Sequence, residues 1–213
     1  VKRICTYLLN NLSHSVTRNV EDSRRCTMAE NNPVVANQIQ EIIHCANFAA
    51  IKHKNQRRKD EDQTPYINHP IGVAFILTDE AKVYDLSVIQ AALLHDTVED
   101  TNTTFKEIEE QFGKEVMGLV QEVTDDKTLT KQQRKDLQIV NGPHSSNKAK
   151  LVKLADKLYN LRDLNRQKPK GWTEERVQEY FEWAAKVVAG LRGTSNAMEK
   201  ALDELFKERN ITF

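Results

Sequence analysis

Three observations predict an all-α fold for this chain. Turn-making residues are scarce, 7 Gly and 5 Pro in 213 residues, about half the usual share or less. Apolar residues recur at three- and four-residue spacing, and no stretch shows a convincing alternation of period two. Ser, Thr, Asp or Asn stands ahead of one periodic segment after another, where helix N-caps belong.

From Val34 a helical pattern begins, with Ile39, Ile42, Ile43, Ala46, Ala49, Ala50 and His53 on one face. A polar loop, Asn55–Asn68, contains Arg57-Arg58-Lys59-Asp60. Pro70 suits the first turn of the second helix, and Ile71–Leu77 supply its apolar content. Asp85 or Ser87 is placed to cap a third helix over Val88–Glu99. Thr104 and Glu107 match a capping box for a fourth, which Gly113 is expected to end. A fifth spans roughly Lys114–Val123 and a sixth Lys131–Val140, before Gly142-Pro143 breaks the chain. Ser146 or Asn147 starts a long seventh helix through Leu164. Thr173 caps an eighth, Glu174–Leu191, and Asn196 with Glu199 opens a ninth, to about Arg209. With no internal repeat and no linker after residue 33, residues 34–213 read as one domain of about nine helices.

Residues 1–33 read differently. Lys2, Arg3, Arg18, Arg24 and Arg25 face only Glu21 and Asp22 up to residue 27, and no helical period is sustained. This N-terminal extension is expected to be disordered, or to lie upstream of a natural start at Met28. Its Arg and Ser content with few acids leaves organelle targeting open beside a cytoplasmic location. Cys5, Cys26 and Cys45 form no CxxC and no even set, which favours a reducing compartment. Cys45 reads as a small core residue.

Lys+Arg and Asp+Glu are both 31, so the formal net charge is zero. That argues against a nucleic-acid polymer as partner and leaves a polyanionic ligand to a local basic patch. No apolar run approaches the roughly 20 residues needed to span a bilayer, so no membrane association is expected.

The chemistry is concentrated in Ala91–Asp100, where an apolar run ends in His95-Asp96-Thr97-Val98-Glu99-Asp100. On a helix His95 and Glu99 are four apart, as are Asp96 and Asp100. Three carboxylates so close repel one another and resist desolvation, which a divalent cation relieves. In Lys148–Leu164 the stripe Leu151, Leu154, Ala155, Leu158 and Leu161 is flanked by a polar line of Lys153, Asp156 and Asn160. His69, just ahead of a helix, offers a further ligand. Two His and two Asp suit octahedral Mn²⁺ or Fe²⁺ better than closed tetrahedral zinc. Trp172, Phe181 and Trp183 read as core packing.

The order His69, His95-Asp96, Asp156 is similar to the H…HD…D pattern of the HD phosphohydrolase superfamily. The closer resemblance is to the hydrolase domain of RelA/SpoT-type enzymes, which remove the 3′-diphosphate of (p)ppGpp, in particular to the small stand-alone animal members. It is carried by His95–Asp100 as an HDxxED box, by Arg57–Asp60 with Thr64–Pro70, and by Leu154–Arg162, and it extends over about Ile39–Thr212. The resemblance implies an HD-type helical bundle. It implies one Mn²⁺ on His69, His95, Asp96 and Asp156, with Glu99 and Asp100 acting on the attacking water. It also implies nucleotide contacts from Arg58, Lys59, Asn160 and Tyr180, and Lys54, Arg57 and Lys153 would complete a basic rim. The expected reaction is (p)ppGpp to GDP or GTP plus pyrophosphate, and the animal members add removal of the 2′-phosphate of NADPH. An HD-type nucleotidase of other specificity and a nucleotide-binding module without turnover are the alternative readings.

Overall fold

The computed structural model describes residues 32–212. Among the described residues, those from His44 onward form one compact unit by their contacts. The expectations for residues 1–31, Cys5 and Cys26 included, lie outside the described residues. Among the described residues there is no strand, and the all-α expectation holds: α1 is Pro33–Lys52, α2 Asn68–Phe75, α3 Leu86–Leu94 and α4 the single turn Thr97–Asp100. Then follow α5 Phe105–Val123, α6 Lys131–Asn141, α7 Asn147–Arg166, α8 Glu174–Ala189 and α9 Asn196–Glu208. No helix among them is long and apolar enough to cross a membrane.

The helix ends follow local chemistry. Asp85 accepts from the Val88 N–H, Thr104 from Glu107, Ser146 from Ala149 and Thr173 from Arg176, each satisfying an otherwise orphaned donor. Thr130 and Gln133 form a reciprocal capping box at α6. Glu199 reaches back to the N–H groups of Thr194 and Ser195, at 2.9 Å each, and opens α9.

Gly113 ends the helical run from Phe105, as expected: its φ of 86° and ψ of 168° are not helical, so α5 is two helical segments joined across a kink, the second running on to Val123. Glycine alone takes that conformation cheaply. One element departs from expectation. The third helix, expected through Glu99, breaks at His95-Asp96. Thr97 Oγ1 donates to the Leu94 carbonyl at 2.7 Å and His95 Nδ1 to the Ala92 carbonyl at 2.7 Å. Side chains thus take carbonyls at the helix end, and the chain re-enters helix one turn on.

The core centres on α3, whose residues Ser87 to Leu94 are all buried, packed against α2, α5 and α7. Each fully buried Leu there contributes about 1.5–3 kcal/mol. On α1 Cys45 and Ala49 are buried, followed by His53 just after the helix, while Ile39 and Ile43 are exposed. Cys45 is a core residue as expected, its thiol 3.6 Å from the Gln90 carbonyl.

Candidate active site

Three elements bring four potential ligands to one point. His69 is the second residue of α2, His95 and Asp96 sit at the α3–α4 break, and Asp156 lies in mid α7. His69 Nε2 is 3.1 Å from His95 Nε2, 3.1 Å from Asp156 Oδ1 and 3.5 Å from Asp96 Oδ2. His95 Nε2 is 3.1 Å from Asp96 Oδ2 and 3.7 Å from Asp156 Oδ1. His69, His95 and Asp156 by themselves meet the spacing of a metal-holding group. Ligands about 2.1 Å from a shared cation stand roughly 3 Å or a little more from one another, which is the separation found.

The donor chemistry agrees. The Ala92 carbonyl fixes the proton of His95 on Nδ1, so Nε2 turns a lone pair to the centre. Two facing Nε2 atoms at 3.1 Å hold at most one proton between them. Burial opposes charge on Asp96 and Asp156, yet His95 and His69 hold the Asp96 carboxyl well below the usual range, and Lys157 with the two histidines does so for Asp156. Against burial, Asp96 and Asp156 hold His95 well above its usual value, so a proton competes for the Nε2 lone pair that a cation would take. A paired anion–imidazole cluster with inward lone pairs fits a divalent cation.

Residues around the centre hold these side chains. The Tyr66 hydroxyl donates to Asp96 Oδ2 at 2.6 Å, and burial together with Asp96 keeps that phenol protonated. Asn160 Nδ2 donates to Asp156 Oδ1 at 2.7 Å and Lys157 Nζ to Oδ2 at 2.8 Å. Lys157 is buried with its ammonium 5.1 Å from the Trp183 ring centre. Neither Tyr66 nor Lys157 was indicated by sequence spacing. Lys157 follows Asp156 directly, and adjacent helical residues do not normally share a face.

Glu99 and Asp100 stand together one turn beyond. Lys127 Nζ is 3.2 Å from Glu99 Oε1 and 2.9 Å from Asp100 Oδ1. Glu99 Oε2 receives the Asp125 N–H at 3.3 Å, and burial, with Asp96 and Asp125 nearby, pushes the Glu99 carboxyl up. Lys127, on the α5–α6 connection, is a further contact the sequence reading missed.

A cavity of about 530 Å³ adjoins the centre, with Tyr66, Asp100 and Asn160 at the ligand side and Arg58, Lys59 and Tyr180 in its walls. Arg58 Nη2 donates to Asn160 Oδ1 at 3.0 Å and Asp163 Oδ2 at 2.7 Å. The basic loop is anchored: Arg58 N donates to Thr64 O at 2.8 Å, Tyr66 N to Gln56 O at 3.1 Å, and Lys170 N to Lys59 O at 2.8 Å. Burial pushes the Tyr180 phenol up to about 12. Trp172, expected in the core, lines the cavity instead, 5.9 Å from Tyr180. Phe181 is fully buried as expected. Lys153 is not in this lining; its Nζ donates to Ser145 Oγ at 3.0 Å. Lys54 lines a separate groove beyond Gln56 and Asp100.

Fold and centre define an HD-type helical protein, and the HD domain family matches residues 45–191. The chain is 65% identical over 170 residues to the guanosine-3′,5′-bis(diphosphate) 3′-pyrophosphohydrolase MESH1 of Xenopus tropicalis, covering 80% of this chain and 95% of that one. It is 64% identical over 178 residues to the protein of the same name from Homo sapiens, covering 84% and 99%. A solved structure described as a metazoan ortholog of SpoT that hydrolyses ppGpp matches with a TM-score of 0.79 and 55% identity, covering 81% of this chain and 97% of that one. The chain belongs to the HD-domain family and, within it, to the RelA/SpoT-type group with its stand-alone animal members.

Proposed function

We propose that the chain is a divalent-metal-dependent (p)ppGpp 3′-pyrophosphohydrolase, with Mn²⁺ held by His69, His95, Asp96 and Asp156. The observation that carries this reading is the convergence of two imidazole nitrogens and two carboxylate oxygens beside a nucleotide-sized cavity walled by Arg58 and Lys59. Their match in sequence to proteins named for that activity supports it. When bound, a divalent ion there acidifies a water and draws charge off a phosphoryl oxygen. Glu99, poised near the centre with its carboxyl pushed up, accepts a proton from the attacking water, and Asp100 orients beside it. The water oxygen bonds to phosphorus and the ribose 3′ oxygen departs, so GDP or GTP and pyrophosphate result. The substrate carries about six negative charges over two diphosphates, which Arg58 and Lys59 meet locally in a chain of zero net charge.

Removal of the 2′-phosphate of NADPH, giving NADH and phosphate, is proposed as a second reaction of the same centre. Both substrates present a phosphorylated ribose hydroxyl, and the rings of Trp172 and Tyr180 in the cavity wall offer stacking surfaces for the rest of a dinucleotide. The deciding experiment compares turnover of (p)ppGpp and NADPH by protein stripped of metal and reloaded with Mn²⁺. Metal-dependent release of pyrophosphate from (p)ppGpp supports the reading. Nucleotide binding without turnover overturns it in favour of a binding module, and turnover confined to nucleoside monophosphates in favour of a nucleotidase.

A further inference from the structure

His53 is a buried histidine that the reaction as described leaves without a task. It follows α1 directly and is 2% exposed. Its Nδ1 lies 2.6 Å from Gln56 Oε1, and Gln56 Nε2 donates to Asp100 Oδ2 at 3.0 Å. The direction of each hydrogen bond follows from elementary chemistry. An ionised carboxylate only accepts, so Gln56 turns its amide nitrogen to Asp100 and its carbonyl oxygen to His53. His53 Nδ1 therefore carries the proton. Nε2 is buried and has no partner, which suits the bare lone pair of a neutral ring, and burial pushes the His53 pKa down.

The other oxygen of Asp100, Oδ1, is held by Lys127 Nζ at 2.9 Å. Asp100 is thus gripped by a donor on each oxygen. Glu99 is held more loosely, by contacts of 3.2 Å and 3.3 Å. The His53 ring also packs 5.0 Å from the ring of Tyr66, the residue that holds Asp96.

We propose that His53 is a positioning residue for the hydrolytic reaction: through the Gln56 amide it fixes the Asp100 carboxylate in place in the cavity wall, leaving Glu99 to handle the proton of the attacking water. The proposal rests on the hydrolase reading of this site. Residues that orient groups around a metal centre typically matter 10–100-fold when removed. The relay ties the end of α1 to α4, two segments brought together only by the fold.

The test uses the full chain and two readouts. His53→Leu keeps an apolar side chain in the buried site and removes the donor; His53→Asn keeps a donor near the position of Nδ1. With (p)ppGpp and Mn²⁺, His53→Leu is expected to lower kcat roughly 10–100-fold with KM and bound metal unchanged, and His53→Asn to recover most of the loss. In an Asp100→Ala background the effect of His53→Leu should vanish, because the carboxylate that the Gln56 amide holds has gone. General loosening of the fold would persist in that background, and such persistence overturns the proposal, as does full activity of His53→Leu. The second readout needs no turnover. The Gln56 side-chain amide protons should exchange slowly in the wild type and fast in His53→Leu; equal exchange overturns the relay. A wild-type protein inert toward (p)ppGpp would sink the hydrolase reading alone, while the amide exchange still decides whether His53 orders Gln56.

Discussion

Both nitrogens of His95 are engaged: Nδ1 donates to the Ala92 carbonyl, and Nε2 meets His69, Asp96 and Asp156 within 3.7 Å. A ring tied this way brings its lone pair to the centre without searching rotamers, and Tyr66 does the same for Asp96. Asp96→Ala deletes one carboxylate and strands the Tyr66 hydroxyl, so elemental analysis after Mn²⁺ loading should show metal lost, together with nearly all turnover. Retention of stoichiometric metal would remove Asp96 from the ligand set. Glu99 differs, since it touches Lys127 and Asp125 and not the four converging atoms. Glu99→Gln is nearly isosteric and cannot take a proton. Its kcat should fall by about 10²–10⁴-fold with metal content unchanged, and loss of metal would instead make Glu99 a ligand. Arg58 and Lys59 divide between them two kinds of cation. Arg58 is already clamped by Asn160 and Asp163, whereas the Lys59 ammonium makes no ion pair within 4 Å among the described residues. Lys59→Ala should raise KM more than it lowers kcat, and the effect should shrink at high salt. A KM equal to wild type for both nucleotides would return Lys59 to a solvated surface charge.

At the scale of elements, the helix caps were legible because a cap is a local event: Asp85, Thr104, Ser146 and Thr173 each bind a backbone N–H three residues on. The order of the four converging residues was legible too, since His69, His95-Asp96 and Asp156 follow a pattern the chain displays linearly. The break after Leu94 was not, because Thr97 and His95 read equally well as helical residues until their side chains take the Leu94 and Ala92 carbonyls. Tyr66, Gln56 and Lys127 were hidden for another reason: their partners Asp96 and Asp100 lie 27 to 44 positions away, and no periodicity reports such pairs. The contact of α2 with α7 was equally silent, and it rests on one glycine. A Cβ at Gly72 would stand 1.9 Å from Tyr159 Cε2, and the Tyr159 ring in turn packs 4.9 Å from the ring of His69. Gly72→Ala cannot be absorbed without displacing that ring. Overpacking of this kind costs about 1–3 kcal/mol, to be read by chemical denaturation. Activity should fall further than stability, because Tyr159 is also wall of the cavity. Unchanged stability would mean that the two helices shift freely past each other.

Across the whole molecule, the centre depends on α2 and α7 keeping their relative places, since one carries His69 and the other Asp156. Beside the Gly72–Tyr159 contact, a second brace joins them at the far end of α2, where the chain continues through a π turn, Ile76–Glu80. Arg162 of α7 reaches both oxygens of Glu80, at 2.5 and 2.8 Å. Such a two-point grip is stronger and more directional than a single surface ion pair. The hydrogen bonds from Arg162 hold the Glu80 carboxyl below its usual range, outweighing the burial that opposes them. A carboxyl depressed in the folded state stabilises that state fully above its unfolded pKa of about 4.3, and the contribution disappears as pH falls through the lower folded value. Glu80→Gln should therefore be less stable than wild type at pH 7, and the difference should narrow from about pH 4 downward, as measured by urea denaturation across pH. Arg162→Met should show the same pH-dependent gap, because it removes the other half of the same grip. If either variant differs from wild type by a constant amount at every pH, the brace acts through packing of its alkyl chains and not through charge. The metal content of Glu80→Gln at pH 7 then tells whether this brace, remote from the four converging atoms, holds their spacing.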